Sequence, residues 1–294
     1  METERLNTAS AIMKGFTVLP TVPAAAAKAI KLLNEDDVDM GAVADVMLAD
    51  QVLAARVIRI VNSPLYKAMG QIHSVRQALM YLGPQKVFEI ILTSCFLEVT
   101  DSSSTSPLRI QDCWKHAFGV GLVARRLAES INHAQPEKAY VAGILHDVGE
   151  VILSQHRRQE YMRALVLARA EGIDLYDAEL RVFSTSHAEV GRLLGEQWNF
   201  PTEFIEVIFQ HHSHHLKSVA PLALLVALAD RFCIGVGLSS MGEQNPNKIL
   251  GCAEAVELMR EHLPRIGTCN LEKFVTSLNG LTDEVAAAVQ SIYA

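Results

Sequence analysis

Along nearly the whole of this 294-residue chain, apolar residues recur three and four positions apart, the spacing that lays a single stripe along an α-helix. Alternating Val/Ile/Thr runs, which would mark strands, are scarce, and aromatic residues make up only 6% of the chain. The spacing therefore predicts an all-α protein. Half of the residues are hydrophobic, enough to fill one large core or two modest ones.

Helix punctuation divides the stripe. Thr21 and Pro23 precede AAAAKAIKLL, Asp50 stands before VLAARVIRIV and Ser74 before VRQALMYL, which Gly83 ends; Pro84 then opens KVFEIILTSCFLEV. These short helices predict an N-terminal bundle over 1–100. The segment DSSSTSP, Asp101 to Pro107, has nothing apolar to bury, so 101–108 is expected to be a linker. Amphipathic segments near 109–132, 136–153 and 157–171, then near 187–198, 201–211 and 219–236, predict a second helical bundle over 109–241. AVELMREHL and LEKFVTSLNGL carry apolar stripes, and Thr282 opens a further helix, so 242–294 is expected to pack on that second bundle.

Charge and cysteine usage narrow the class. Lys plus Arg number 26 against 33 Asp plus Glu, a formal charge of −7, so no basic field exists for nucleic acid or an anionic membrane. The longest apolar stretch, around VAPLALLVALADRF, contains Pro221, Asp230 and Arg231, and is read as a core helix rather than a membrane span; the opening METERLNTASAIMKGF lacks the apolar run of a signal peptide. Five cysteines, odd in number and never in CxxC, fit buried reduced thiols and predict a cytoplasmic protein.

The strongest chemical signal is His146-Asp147, an imidazole beside a carboxylate within apolar AYVAGILHDVGEVIL. A buried carboxylate there needs a partner to offset its desolvation. Neighbouring helical residues point about 100° apart, so the pair can share a cation only if other segments complete the ligand set. Candidates follow in order: His116 on a long segment, His187 at a helix start, His211 and His212 at a helix end, and Asp230 in the most apolar helix. Taken singly, each histidine reads more readily as a hydrogen-bonded core or surface residue, and Asp230 reads equally as a partner of Arg231 or a helix terminus. The ordered set is harder to reach by chance. Mixed imidazole and carboxylate donors suit iron, manganese, zinc or nickel.

This order resembles the HD superfamily, helical bundles whose His…His-Asp…Asp site holds metal for phosphohydrolysis. The resemblance implies His116, His146, Asp147 and Asp230 as ligands of one ion, and His187, His211 and His212 as the added histidines of a two-metal branch, with Asp147 bridging. The first half is similar to the N-terminal bundle of the HDOD family through Leu19-Pro20 with Pro23, Asp50, Asn62-Ser63 with Tyr66, Ile72 with Ser74-Val75, and Leu82-Gly83. That family implies a bacterial signal-transduction module acting on signalling proteins, without catalysis; the alternative is a metal-dependent phosphohydrolase acting on a nucleotide or phosphoester. The chain departs from the hydrolytic branch at Gly149-Glu150, where a lysine is expected and where glutamate would face an approaching phosphoanion. It departs again at HHSHHLKSVAPL, which lacks a Gly-Tyr-Pro element. The sequence leaves the oligomeric state open.

Three weaker features read as structural. Arg56 and Arg59, three apart on one helix face, fit a solvated rim. The acidic run Glu35 to Asp39 lacks the Gly and Glu of a calcium loop and suits a helix start. His214 and His215 lie in a polar loop outside the ordered set.

Overall fold

Asp39 and Asp50 each turn a side-chain oxygen onto two backbone N–H groups of the helix that follows, which accounts for the acidic run ending at Asp39. The computed structural model describes the chain apart from residues 1, 17–23, 64–65, 67–70, 102–106, 134, 213–218, 242–255, 257–259, 261–262 and 294. The described residues are helical and contain no strand. Leu19-Pro20, Thr21, Pro23, His214, His215 and most of AVELMREHL lie outside them, as does most of the 101–108 linker.

In chain order the α-helices are α1 (Glu2–Lys14), α2 (Ala24–Leu33), α3 (Met40–Leu48), α4 (Gln51–Val61) and α5 (Val75–Asp101), then α6 (Ile110–Ser130), α7 (Pro136–Leu145), α8 (Val148–His156), α9 (Arg158–Glu171) and α10 (Leu175–Phe183). There follow α11 (His187–Gln197), α12 (Thr202–Gln210), α13 (Pro221–Gly235), a 3-10 turn (Pro264–Thr268), α14 (Leu271–Ser277) and α15 (Leu281–Tyr293). The axis of α5 breaks where Gly83-Pro84 predicts it. The helix expected over 136–153 is instead two, α7 and α8, because Asp147 leaves helical geometry at φ −102°, ψ 19°. Helices α1 and α10 were not among the expected segments; α1 carries only a thin apolar stripe of Ala9, Ile12 and Met13.

The chain forms two compact units, one of Met1–Leu19 with Val99–Asn279, the other of Pro20–Glu98 with Gly280–Ala294. This corrects the linear division expected from the sequence: α1 belongs with the second bundle, where it packs on α11, and α15 belongs with the first, where it packs on α4. The physical reason is that periodicity states which face of a helix is apolar and says nothing of which distant core receives it. α14 does join the second bundle, its Phe274 ring lying 5.5 Å from Phe232 of α13.

In the smaller unit, Asn62 bonds the backbone of Ile72 in both directions, at 2.8 and 2.9 Å, tying the end of α4 to the residues just before α5. Arg56 pairs with Glu98, and Arg59 donates to the Ile292 carbonyl of α15 at 3.1 Å. These arginines are therefore internal ties and not the solvated rim expected of them; a cation near the last carbonyls of a helix also suits its dipole.

In the larger unit, α6 and α7 approach until a Cβ on Gly143 would lie 2.7 Å from the Gly121 backbone. That contact brings His116 of α6 beside His146 at the end of α7. α13 crosses both helices. Its Leu224, Leu225, Val226 and Leu228 are fully buried, and each such side chain stabilises the fold by about 1.5–3 kcal/mol. The same helix carries Asp230, only 7% exposed.

Candidate metal centre

Six elements deliver the site. His116 projects from the middle of α6, His146 closes α7, Asp147 forms the break, His187 opens α11, His211 and His212 end α12, and Asp230 lies on α13. The break explains how adjacent residues share one centre, since Asp147 is freed from the fixed angle that a continuous helix would impose on it. His187 is placed by its cap: Ser186 and Glu189 form a reciprocal capping box at the start of α11.

Asp147 is the hub. Its Oδ2 lies 3.1 Å from His146 Nε2 and 3.2 Å from His116 Nε2; its Oδ1 lies 3.2 Å from His211 Nε2 and 3.4 Å from His187 Nε2. Asp230 Oδ1 stands 3.3 Å from His116 Nε2. The His212 ring is centred 4.1 Å from that of His211 and 4.9 Å from that of His187. Two donor groups result, His116/His146/Asp147 and Asp147/His187/His211/His212, the donor atoms within each lying no more than 4.8 Å apart. All seven residues singled out in the sequence therefore converge, Asp230 joining through His116.

The opposite edges of the rings are tied off. His116 Nδ1 lies 2.7 Å from the Leu238 carbonyl, His146 Nδ1 2.7 Å from that of Gly143, and His211 Nδ1 2.9 Å from that of Ile208. His187 Nδ1 lies 2.6 Å from Glu179 Oε2, which also accepts from the His187 backbone N–H at 2.8 Å. A carbonyl can only accept, so Nδ1 carries a proton and Nε2 is the nitrogen turned to the centre, the one that metal binding would strip of any proton. His146 Nε2 and Asp147 Oδ1 are moreover buried, and their contacts within the cluster, at 3.1 to 3.4 Å, are ion pairs without hydrogen-bond geometry. Buried polar atoms left in that condition are costly unless a ligand meets them. Donor type, number and orientation all fit one or two transition-metal ions.

Electrostatics agrees. Burial works to raise the Asp147 carboxyl, but His146, His116 and His211 outweigh it and hold the group well below the ordinary carboxylate range. Burial works to lower His116, yet Asp147 and Asp230 lift it to about 9. His187 rises to about 10 against the same burial, chiefly through Glu179. His211 and His212 are lowered, burial first and the neighbouring imidazoles next.

Glu150 does not present the entrance charge expected of it. Its side chain is buried, its Oε1 accepting from Tyr161 at 2.6 Å and from Ser240 at 2.9 Å, and burial beside Asp147 raises it to about 8. Sequence reasoning also missed Glu179. Nothing in AELRVF separates a buried glutamate from a solvated one, apart from its place on the α10 face that carries Ala178 and Phe183 inward.

Comparison with known proteins places the chain among helical relatives. The HDOD domain family matches residues 19–214. The crystal structure of an HDOD domain protein of unknown function from Geobacter sulfurreducens is 33% identical, with a TM-score of 0.82 over 99% of each chain. A provisionally named phosphohydrolase from Shewanella amazonensis SB2B is 22% identical, with a TM-score of 0.73 over 97% of each, a likeness of fold. An uncharacterized protein of Treponema pallidum is 21% identical across 85% of this chain, which spans about half (49%) of that protein's length.

Proposed function

Because this chain belongs to the HDOD family, we propose that it is a bacterial signal-transduction module whose His/Asp centre holds one or two transition-metal ions as part of the fold and its signal, without turning over a substrate. The convergence of four Nε2 atoms on the two oxygens of one carboxylate, each opposite Nδ1 being tied to an acceptor, carries this reading. His116, His146 and Asp230 with Asp147 Oδ2 would hold one ion; His187, His211 and His212 with Asp147 Oδ1 the other. Bound ions would supply Lewis acidity, the first tying together α6, α7 and α13 and the second α11 and α12. Against turnover stands the rim. Among the described residues the ion pairs of Asp147 and Asp230 are to histidines, and Arg5, the cation that reaches Tyr176, is itself engaged by Tyr176 and Glu189. The partners would be other signalling proteins.

A second reading, a metal-dependent phosphohydrolase, gains from one observation: Glu150 is buried and hydroxyl-bonded, so it repels no substrate at an entrance. Elemental analysis of untagged protein, followed by assay of the metal-loaded form on cyclic dinucleotides, separates the two. The expected result is bound metal and no hydrolysis above a His146→Ala, Asp147→Ala control. Metal-dependent cleavage absent from that control establishes the enzyme instead.

A further inference from the structure

Five imidazoles meet at the centre, and four of them are fixed by a hydrogen bond at Nδ1. His212 differs. Among the described residues it is held by ring contacts, with His211, with His187, and with Tyr176, whose ring centre lies 5.0 Å away at an interplanar angle of 35°. Its orientation therefore depends on where Tyr176 stands, and Tyr176 is itself held from outside the site. The Tyr176 hydroxyl accepts from Arg5 of α1 at 3.2 Å, and the same guanidinium lies 3.9 Å from the Glu189 carboxylate.

Helix α1 is a lightly seated element. It buries only Ala9, Ile12 and Met13, Glu2 adds a 3.7 Å pair with Arg192 of α11, and beyond the helix Phe16 stacks on His156 at 4.3 Å. Exposed pairs of this kind contribute little to stability, about 0–1 kcal/mol each. With Ile12 and Met13 as its larger buried side chains, α1 can detach from α11 without unfolding the bundle beneath it.

We infer that α1 is a regulatory strap for the half of the centre formed by Asp147 Oδ1, His187, His211 and His212: docked, it fixes Tyr176 through Arg5 and Tyr176 orients His212; released, it leaves that half with a loosened ligand. Tyr176 is thus a positioning residue. The inference rests on the two-ion reading above and adds how one ion is controlled. It makes affinity at one half dependent on α1 and, by linkage, makes the docking of α1 dependent on that ion. The other half, with His116 and His146 pinned to backbone carbonyls, is insulated.

The test is calorimetric titration of metal-stripped full-length protein with Mn2+, for the wild type, Arg5→Ala, Tyr176→Phe and the double variant. Tyr176→Phe keeps the ring and its packing, so it guards against a folding artefact. Two binding steps are expected; each single variant weakens one of them by about tenfold and leaves the other within about twofold, and the double variant does no worse than either single. Hydrogen exchange gives the reciprocal readout: Mn2+ slows exchange of the α1 amides in the wild type and not in Arg5→Ala. Two intact steps indifferent to Arg5 and Tyr176, or α1 amides indifferent to Mn2+, overturn the strap while sparing the two-ion centre. Uptake of fewer than two ions by the wild type overturns the two-ion reading, and the strap with it.

Discussion

Glu179 holds His187 by both its backbone N–H and its ring, from a position with no accessible surface. Removing such a partner from a ligand histidine typically costs about 10–100-fold in metal affinity. Glu179→Gln should therefore weaken the ion beside Asp147 Oδ1 by that order in an Mn2+ titration, while the His116/His146 side keeps its affinity; an unchanged titration would show that the backbone alone sets the His187 ring. Protons compete for the same lone pairs. In ion-free protein His116 and His187 are raised from 6.5 to about 9 and about 10, so they bind protons more tightly folded than unfolded. Their stabilising contribution is full below about pH 6.5 and fades as pH rises through about 9 to 10. Asp147, depressed from its ordinary 3.8, contributes above that value and loses its contribution as the pH falls below it. Since metal must displace the histidine protons, apparent affinity should rise between about pH 6.5 and 8.5, roughly tenfold per unit for each proton released. Titrations at the two ends of that range check the slope, and a flat dependence would contradict the ligand assignment.

Helices bring their own tolerances. Where α8 meets α11, a Cβ on Gly149 would sit 2.0 Å from the His187 carbonyl oxygen and 2.6 Å from the Gly191 nitrogen, both of them backbone atoms that cannot rotate away. Gly149→Ala must push the two helices apart, at a cost of roughly 1–3 kcal/mol for overpacking, and must draw Asp147 away from His187. Thermal melts should show the loss of stability and elemental analysis a reduced metal content; a variant with full metal content would mean that the helices yield elsewhere. At this scale the sequence was legible in part. Asp39, Asp50, Gly83-Pro84 and Ser186 mark helix ends through chemistry that acts within a few residues, and the caps stand where those residues stand. The break at Asp147 leaves no such mark. ILHDVGEVIL contains no proline, and what opens the helix there is the set of imidazoles drawn to one carboxylate, supplied by segments distant in the chain. The ligand ladder could be read because histidine and aspartate are rare in apolar helices; Glu179, Tyr176 and Tyr161 could not, because each has an ordinary surface or core reading until the fold places it.

The whole molecule is less legible still, since the thin apolar stripe of α1 does not mark it as a helix and the periodicity that marks α15 as one carries no address for it. The structure assigns α15 to the unit of residues 20–98, where Val285, Ala288, Val289 and Ile292 are buried and Arg59 meets the Ile292 carbonyl. Truncation after Asn279 should consequently expose the smaller core: limited proteolysis is expected to cut first within 24–98, while Mn2+ uptake by the larger unit persists. Initial cleavage within 110–210 would contradict the division. Conversely, the His146→Ala, Asp147→Ala double variant should abolish the rise in melting temperature that added metal gives, because ions binding only the folded form stabilise it by mass action.

The crossed membership of the terminal helices also imposes a timetable. A chain is synthesised from its N-terminus, so residues 20–98 emerge early, yet the helix that completes their core follows only after all of 99–279 has been made. The unit whose bulk emerges first is finished last, and until then the face that α15 will cover has to wait on the nascent chain, available to a chaperone or to another chain. The larger unit, whose α1 precedes residues 20–98, can close on its own residues before α15 is made.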